Sequence, residues 1–317
     1  NGWSYDDVLP YFRKSEHNER FDNEYHGTNG PLWVSDSRTD SPFHDYFLKA
    51  ANECGIPTVD DFNGENQEGA GVFQVTQKNG ERWSSARAYL FPHMGKRSNL
   101  CVETSAHVQR ILFEGKRAVG VEFKQGNEVR TLRARKEILL SAGAFQSPQI
   151  LMLSGVGDAK ALGQHGIPVI HHLPGVGQNL QDHPDFIFGY TTHSPATFGF
   201  TAGGIWRALK ATHTYRHKRR GLWTSNFAEA GAFVKTKPDL PAPDIQLHWV
   251  TALVDDHGRK LHFNQGYSCH VCLLRPRSRG SVQLAGRDPE VAPLIDPAFL
   301  SDPQDLEDMV EAYKITR

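Results

Sequence analysis

No stretch of this sequence is apolar for long enough to cross a membrane, which takes roughly 20 such residues in a row. Neither sign of charge is in surplus, with 35 Lys and Arg against 36 Asp and Glu. So close a balance gives no electrostatic grip on nucleic acid, and no nucleic-acid partner is expected. Cysteine is scarce, four in 317 residues, which argues against a disulfide framework. Cys269 and Cys272 do spell C-x-x-C, a spacing used in redox and metal chemistry. Their neighbours point elsewhere: Tyr267, Cys269, Val271 and Leu273 alternate with Ser268, His270 and Cys272 in the rhythm of a half-buried strand. Positions three apart on a strand face opposite ways, so the two sulfurs should diverge. Cys54 falls on the apolar face of a helical pattern and is expected in a core.

Two further absences matter. No metal site is expected from the sixteen histidines. His171 and His172 are adjacent and would face opposite sides of a strand. There is also no complete dinucleotide fingerprint. Gly155-Val156-Gly157-Asp158-Ala159-Lys160 has Lys160 at the third glycine position and follows a helical pattern rather than a strand; Gly175-Val176-Gly177 lacks the third position too. The chain starts Asn1-Gly2-Trp3 and stops at Ile315-Thr316-Arg317 inside a helical pattern, which leads us to expect an internal piece of a longer protein.

What is present is a globular mixture, 38% apolar and 22% charged. Ser4, Asp6 and Asp7 start a helix that should break or kink at Pro10. Ser41-Pro42 starts another, with Phe43, Phe47, Ala51 and Cys54 on one face and Gly55 closing it. Residues 60–80, rich in Gly, Asn, Asp and Gln, read as an ordered loop, and Ser84 caps a short helix through Phe91. Strands are expected at 108–113, 118–123, 129–134, 137–140 and around 245–249. Ser147-Pro148 starts a helix ending at Ser154-Gly155, and Asp158 one ending near Gly166. Strands at 267–274 and 281–285 are expected to pair across 275–280. Asp302-Pro303 caps a last helix. The pattern is α+β with mainly antiparallel strands.

Segment 138–157 runs from a buried strand through small residues at 141–144 into a helix: Ile-Leu-Leu-Ser-Ala-Gly-Ala-Phe-Gln-Ser-Pro-Gln-Ile-Leu-Met-Leu-Ser-Gly-Val-Gly. Small residues there allow either a ligand or another backbone to come close. This segment resembles the second signature of the glucose–methanol–choline (GMC) oxidoreductases. Residues 75–90, Pro174 to His183, Leu294-Ile295-Asp296-Pro297, Thr224-Ser225-Asn226 and Pro276-Arg277-Ser278-Arg279-Gly280 resemble the same family, closest to its bacterial alcohol and choline dehydrogenases.

The resemblance implies a substrate-binding domain with a large antiparallel sheet flanked by helices, plus part of a FAD-binding domain. The expected divisions are 1–99 as a joining segment, 100–183 as partial FAD framework, and 184–317 as substrate domain. It implies FAD-dependent oxidation of a small alcohol, with electrons passed to a quinone or another acceptor. Val108, Ala142 and Gly143 match cofactor-side positions. Glu229 matches an acidic position facing substrate in choline-oxidising relatives, and Arg275 is a candidate for the same cavity. For each, a structural role remains open: strand packing, close backbone approach, a carboxylate paired with Arg or Lys, a solvent-facing arginine. No catalytic residue is assigned, because the family's proton-handling pair maps outside these residues, and the chain alone is expected to be inactive. An oxygen-using oxidase, or a catalytically silent binding module, are the rival readings. The basic run Tyr215-Arg216-His217-Lys218-Arg219-Arg220 is either a solvated helix end or a contact with an anionic membrane. A cytoplasmic location, with the option of peripheral association with the inner membrane, is the expectation.

Overall fold

The computed structural model describes residues 2–199, 201–254, 259 and 264–317. Helix α1 (Tyr5–Ser15) opens with the expected cap: Ser4 Oγ accepts from Asp7 N–H, and the Asp7 carboxylate accepts from Ser4 N–H at 3.0 Å. Pro10 does not break it. The bond Pro10 cannot make would go to the Asp6 carbonyl, which lies on an exposed residue. Helix α2 (Phe43–Glu53) buries Phe43, Phe47 and Ala51 as expected, and Gly55 follows it with φ +83°. Cys54 is not core: it is the exposed C-cap, one position past the last buried turn. Helix α3 (Gly143–Leu153) begins four residues before the expected Ser147, whose hydroxyl instead accepts from Ala142 N–H at 3.1 Å. Helices α4 (Ala159–Gln164), α5 (Ala202–Lys218) and α6 (Pro303–Thr316) complete the set, with Asp158 capping α4.

The large antiparallel sheet is present. Its five strands lie in the order Asp185–Thr191, Gly266–Leu273, Ile245–Val250, Ala228–Val234, Gly69–Val72. The last of these sits inside 60–80, read from the sequence as loop. Its residues, Gly-Ala-Gly-Val, carry too few side chains to show alternation. The glycines have a reason: Gly231 faces Gly71 across the ladder, and a Cβ on Gly231 would lie 2.2 Å from the Leu247 carbonyl and 2.5 Å from the Phe73 ring. Residues 77–82 add a tight hairpin turning at Asn79 and Gly80, both with positive φ. On one face of the large sheet, Phe47 and Ala51 of α2 and Met309 and Ala312 of α6 join Ala230, Ala232, Ile245, Leu247, Val271 and Leu273 in the core. Trp249 stacks on Phe43 and Phe47, with centroids at 5.4 and 5.0 Å.

The chain divides into two units. The first holds residues 1–100, 185–275 and 308–317; the second holds 101–184 and 276–307. The segment 276–307, grouped with 184–275 in the sequence reading, therefore belongs with the second unit. That unit contains a meander of Ala106–Glu114, Arg117–Gln125 and Glu128–Arg133. Ser154 ties the end of α3 to it, accepting Ile111 N–H at 2.8 Å. Met152, Leu162, Ile167 and Leu284 form a small core. Two strand expectations fail here. Residues 137–140 form no ladder, and Leu139 is 82% exposed. Gly280–Gln283 does not pair with Gly266–Leu273; it pairs with Gln178–Leu180 and Leu294–Asp296. The residues between them do not turn a hairpin, because they are held by a carboxylate.

That carboxylate is Asp305, on α6 and 1% exposed. It accepts from Arg277 N–H at 2.7 Å, Ser278 N–H at 2.9 Å and Ser278 Oγ–H at 2.5 Å. Burial pushes its pKa up, but these donors and the Arg277 charge prevail and hold it below the ordinary carboxylate value of 3.8. A folded pKa below the unfolded one gives stability that is present above the unfolded value and lost as pH falls through the folded one. Asp305→Ala strands three donors, both of those on Ser278 buried, and is expected to cost about 2–4 kcal/mol in urea unfolding at neutral pH. A loss under about 0.5 kcal/mol would mean the 277–278 backbone is held by something else.

Candidate functional site

Glu229 is 2% exposed, an expensive place for a carboxylate without partners. The local sequence explains its aim. Thr224 closes a one-turn helix by donating its hydroxyl to the Gly221 carbonyl at 2.7 Å. Ser225 Oγ then accepts Phe227 N–H at 2.9 Å, and Phe227 takes a left-handed φ of +63°, a strained conformation for an aromatic residue. The strand that follows pairs Ala228 with Val250 and Ala230 with Trp249, so Glu229 is the extra residue of a β-bulge. A bulge redirects the side chain it carries. The Ser225 hydroxyl donates to Glu229 Oε1 at 2.6 Å, while the Glu229 carbonyl accepts Phe73 N–H at 3.0 Å.

The second carboxylate oxygen, Oε2, makes no hydrogen bond, and neither does His44 Nδ1, 3.6 Å away. The other ring nitrogen of His44 lies 3.4 Å from the exposed carboxylate of Asp45. The imidazole of the first turn of α2 thus stands between an inner and an outer carboxylate. Its pKa is raised above 6.5, first by this close approach of the Glu229 carboxylate, against the opposing effect of burial, with the charges of Asp45 and Glu229 adding. Glu229 also lines a cavity of about 190 Å³ with Thr197, Phe198, Arg207, Leu222 and Thr251. Arg207 is tethered there through a 3.4 Å bond to the Thr197 carbonyl. The cavity wall thus brings together one carboxylate side chain, one guanidinium and one aromatic ring.

The other sequence candidates fall elsewhere. Arg275 does not share the Glu229 cavity. The ladders place Ala228 level with Val250 and Ser268, and Val234 level with Ile245 and Leu273, so Arg275, exposed beyond Leu273, lies at the opposite end of the sheet, roughly 20 Å along the strands. Val108, Ala142 and Gly143 are all in the second unit. Val108 is half-buried and opposite Phe123, next to a bulge at Gln109. Ala142 is the residue before α3, its N–H already taken by Ser147. Gly143 is exposed with φ +86°, and the space where its Cβ would stand is open. An uncrowded glycine entering an exposed helix start fits one edge of a flat, phosphate-bearing group such as a flavin nucleotide; nothing here builds a whole cradle for one. Neither cysteine of the C-x-x-C is in a disulfide, and burial, then the neighbouring Cys272, pushes the Cys269 thiol up to about 12, far from a reactive thiolate.

Models of the GMC oxidoreductase family match residues 1–185 and 276–317. The chain belongs to the GMC oxidoreductase family. An alcohol dehydrogenase (acceptor) from Pseudomonas putida is 45% identical over 99% of this chain and 57% of its own length. The mitochondrial choline dehydrogenase of Homo sapiens is 42% identical over the whole chain and 53% of its own length. A FAD-dependent oxidoreductase from Chaetomium thermophilum superposes on the whole chain with a TM-score of 0.85 at 26% identity, covering 63% of that structure. The chain therefore spans a little over half the length of the curated relatives it matches.

Within this GMC chain, the sequence singled out Glu229 as a candidate but not His44, Ser225 and Arg207, which surround it. Ser225 was within reach, four residues upstream in the quoted Thr-Ser-Asn motif. His44 was not: nothing in the sequence sets it apart among sixteen histidines. Because its folded pKa is raised, the stability the His44–Glu229 pair supplies is full below 6.5 and lost as pH rises through the folded pKa. Glu229→Gln is expected to lower the His44 titration midpoint in an NMR pH series, and to destabilise the chain more in mild acid than in mild alkali. A midpoint that does not move would disconnect the two groups.

Proposed function

We propose that this chain is part of a FAD-dependent enzyme that oxidises an alcohol to an aldehyde. The observation that carries this is the family match at both ends of the chain, together with over 40% identity to relatives named for alcohol and choline oxidation. Bound FAD would supply the acceptor for the hydride leaving the alcohol carbon. The second unit contributes part of the flavin framework, with the backbone at Val108 and the small residues Ala142 and Gly143 against the cofactor. The first unit is the substrate side. There the bulge and Ser225 hold the Glu229 carboxylate rigid at the cavity wall, where its charge orients a substrate bearing a positive charge or a hydrogen-bond donor. Phe198 supplies an apolar wall against which a quaternary ammonium could rest. Arg207 in the same cavity opposes a purely cationic ligand and favours one with a polar end. Arg275, remote from this cavity, keeps only the reading of a strand-end arginine. No described residue is given the alcohol proton.

The proposed electron acceptor is a quinone or another carrier, in keeping with the word acceptor in the name of the P. putida relative. Stoichiometric peroxide from the full-length enzyme would replace this with an oxidase. Among the described residues no helix is long and apolar enough to cross a membrane.

The purified chain is expected to be colourless and to show no turnover with an artificial acceptor. A flavin absorbance spectrum at near-equal stoichiometry would instead make the Val108, Ala142 and Gly143 site self-sufficient. In the intact enzyme, Glu229→Gln should lower kcat/KM for choline at least about fivefold more than for a neutral alcohol, about 1 kcal/mol of charge recognition. Equal losses would reject the cation subsite.

A further inference from the structure

Helix α5 turns the wrong side to water. Its half-buried and buried face carries Gly204, Arg207, Ala208, Ala211, Thr212 and Tyr215, mostly small or polar. Its outer face begins with Ile205, Trp206 and Leu209, which are 54%, 59% and 60% exposed. An ordinary surface helix has the reverse arrangement. The orientation is set by packing: a Cβ on Gly204 would lie 2.0 Å from the Gly199 carbonyl, so that side of the first turn can only face inward. Trp223 extends the exposed apolar patch. It is 45% exposed, and its indole N–H is anchored on α5 through the Ala208 carbonyl at 3.2 Å and Thr212 Oγ1 at 3.1 Å.

The charge on this element is one-sided. Residues 202–220 contain Arg207, Lys210, Arg216, Lys218, Arg219 and Arg220, and no Asp or Glu, in a chain whose net charge is −1. Arg219 is paired with Glu81, Arg220 with Asp40, and Arg207 with the Thr197 carbonyl. Lys210 and Arg216 remain exposed beside the apolar stripe, and the Lys210 ammonium lies 5.4 Å from the Trp206 ring centroid. The basic run read from the sequence at 215–220 is therefore half consumed by ion pairs, and the cations available to a partner extend one helix turn earlier, to Lys210.

We propose that the outer face of α5 and Trp223 dock on an anionic lipid surface, with Ile205, Trp206 and Leu209 entering the interface and Lys210 and Arg216 meeting the headgroups. Aromatic and aliphatic side chains flanked by cations, on a helix lying flat, are what such an interface accepts. A second copy fits poorly, because an isologous contact would set two wholly basic patches against each other. This gives residues to the peripheral contact considered above, and it is independent of the flavin reading, since docking needs neither cofactor nor turnover.

Vesicle co-sedimentation of the chain tests it. The chain should bind phosphatidylcholine vesicles containing about 30% phosphatidylglycerol, bind pure phosphatidylcholine at least tenfold more weakly, and be released by about 0.5 M salt. Trp206→Glu with Leu209→Glu should abolish binding, and Lys210→Glu with Arg216→Glu should lower it at least tenfold. Both pairs project into water, so far-UV circular dichroism and the thermal melt should stay as in the parent. An unmodified chain that stays in solution with the anionic vesicles overturns the proposal. So does binding that survives the Trp206 and Leu209 changes, or a dimer in sedimentation equilibrium that those changes dissolve. A colourless, inactive chain that nonetheless binds vesicles would leave it intact.

Discussion

The first unit depends on one strand being paired on both sides. Ala228–Val234 takes Gly69–Val72 as one neighbour and Ile245–Val250 as the other, joining segments more than 150 residues apart in sequence. Every buried backbone group on that strand must find a partner, and the ladders supply them. The pairing is possible because Gly231 and Gly71 meet where side chains would collide, at Gly231 with the Leu247 carbonyl and the Phe73 ring and at Gly71 with the Val59 carbonyl. The bulge at Glu229, the seating of α2 and the approach of His44 to the carboxylate all follow from this strand's position. A glycine-rich stretch that looks like loop in the sequence is thus the piece that closes the sheet.

Two buried carboxylates show how polar satisfaction separates structure from function. Asp305 has three donors on its two oxygens, all from Arg277 and Ser278, and it locks the backbone that leads out of Gly266–Leu273. Glu229 has one donor on Oε1, an imidazole at ion-pair distance from Oε2, and a cavity beside it. A fully satisfied charge is a fastener. A buried charge left short of partners costs stability unless something else uses it, and such groups gather at binding sites. The Pro-Arg-Ser-Arg-Gly motif, which the sequence offered as a family mark, serves the first purpose through its backbone.

Helix α5 reverses the usual relation between sequence and burial. Its composition, with three apolar residues at 205, 206 and 209, would be read as a core-facing stripe on spacing alone. The close approach at Gly204 rotates that stripe outward. Periodicity identifies a face but not the direction in which it points.

The sequence by itself determined the family, the antiparallel strands at 106–133 and 245–273, the caps at Ser4 and Asp158, and Glu229 as a residue worth watching. These are legible because alternation, capping chemistry and signature spacing are local. Tertiary structure alone decided the rest. It took Arg275 to the far end of the sheet, put Cys54 in water, removed the ladder expected at 137–140, and separated Gly280–Gln283 from Gly266–Leu273. It also brought His44 to Glu229 across 185 positions. Each of these turns on which distant segment supplies a strand's hydrogen bonds or covers a side chain. Such choices are made by whole-chain packing, where a one-residue bulge or a single glycine contact outweighs any local preference.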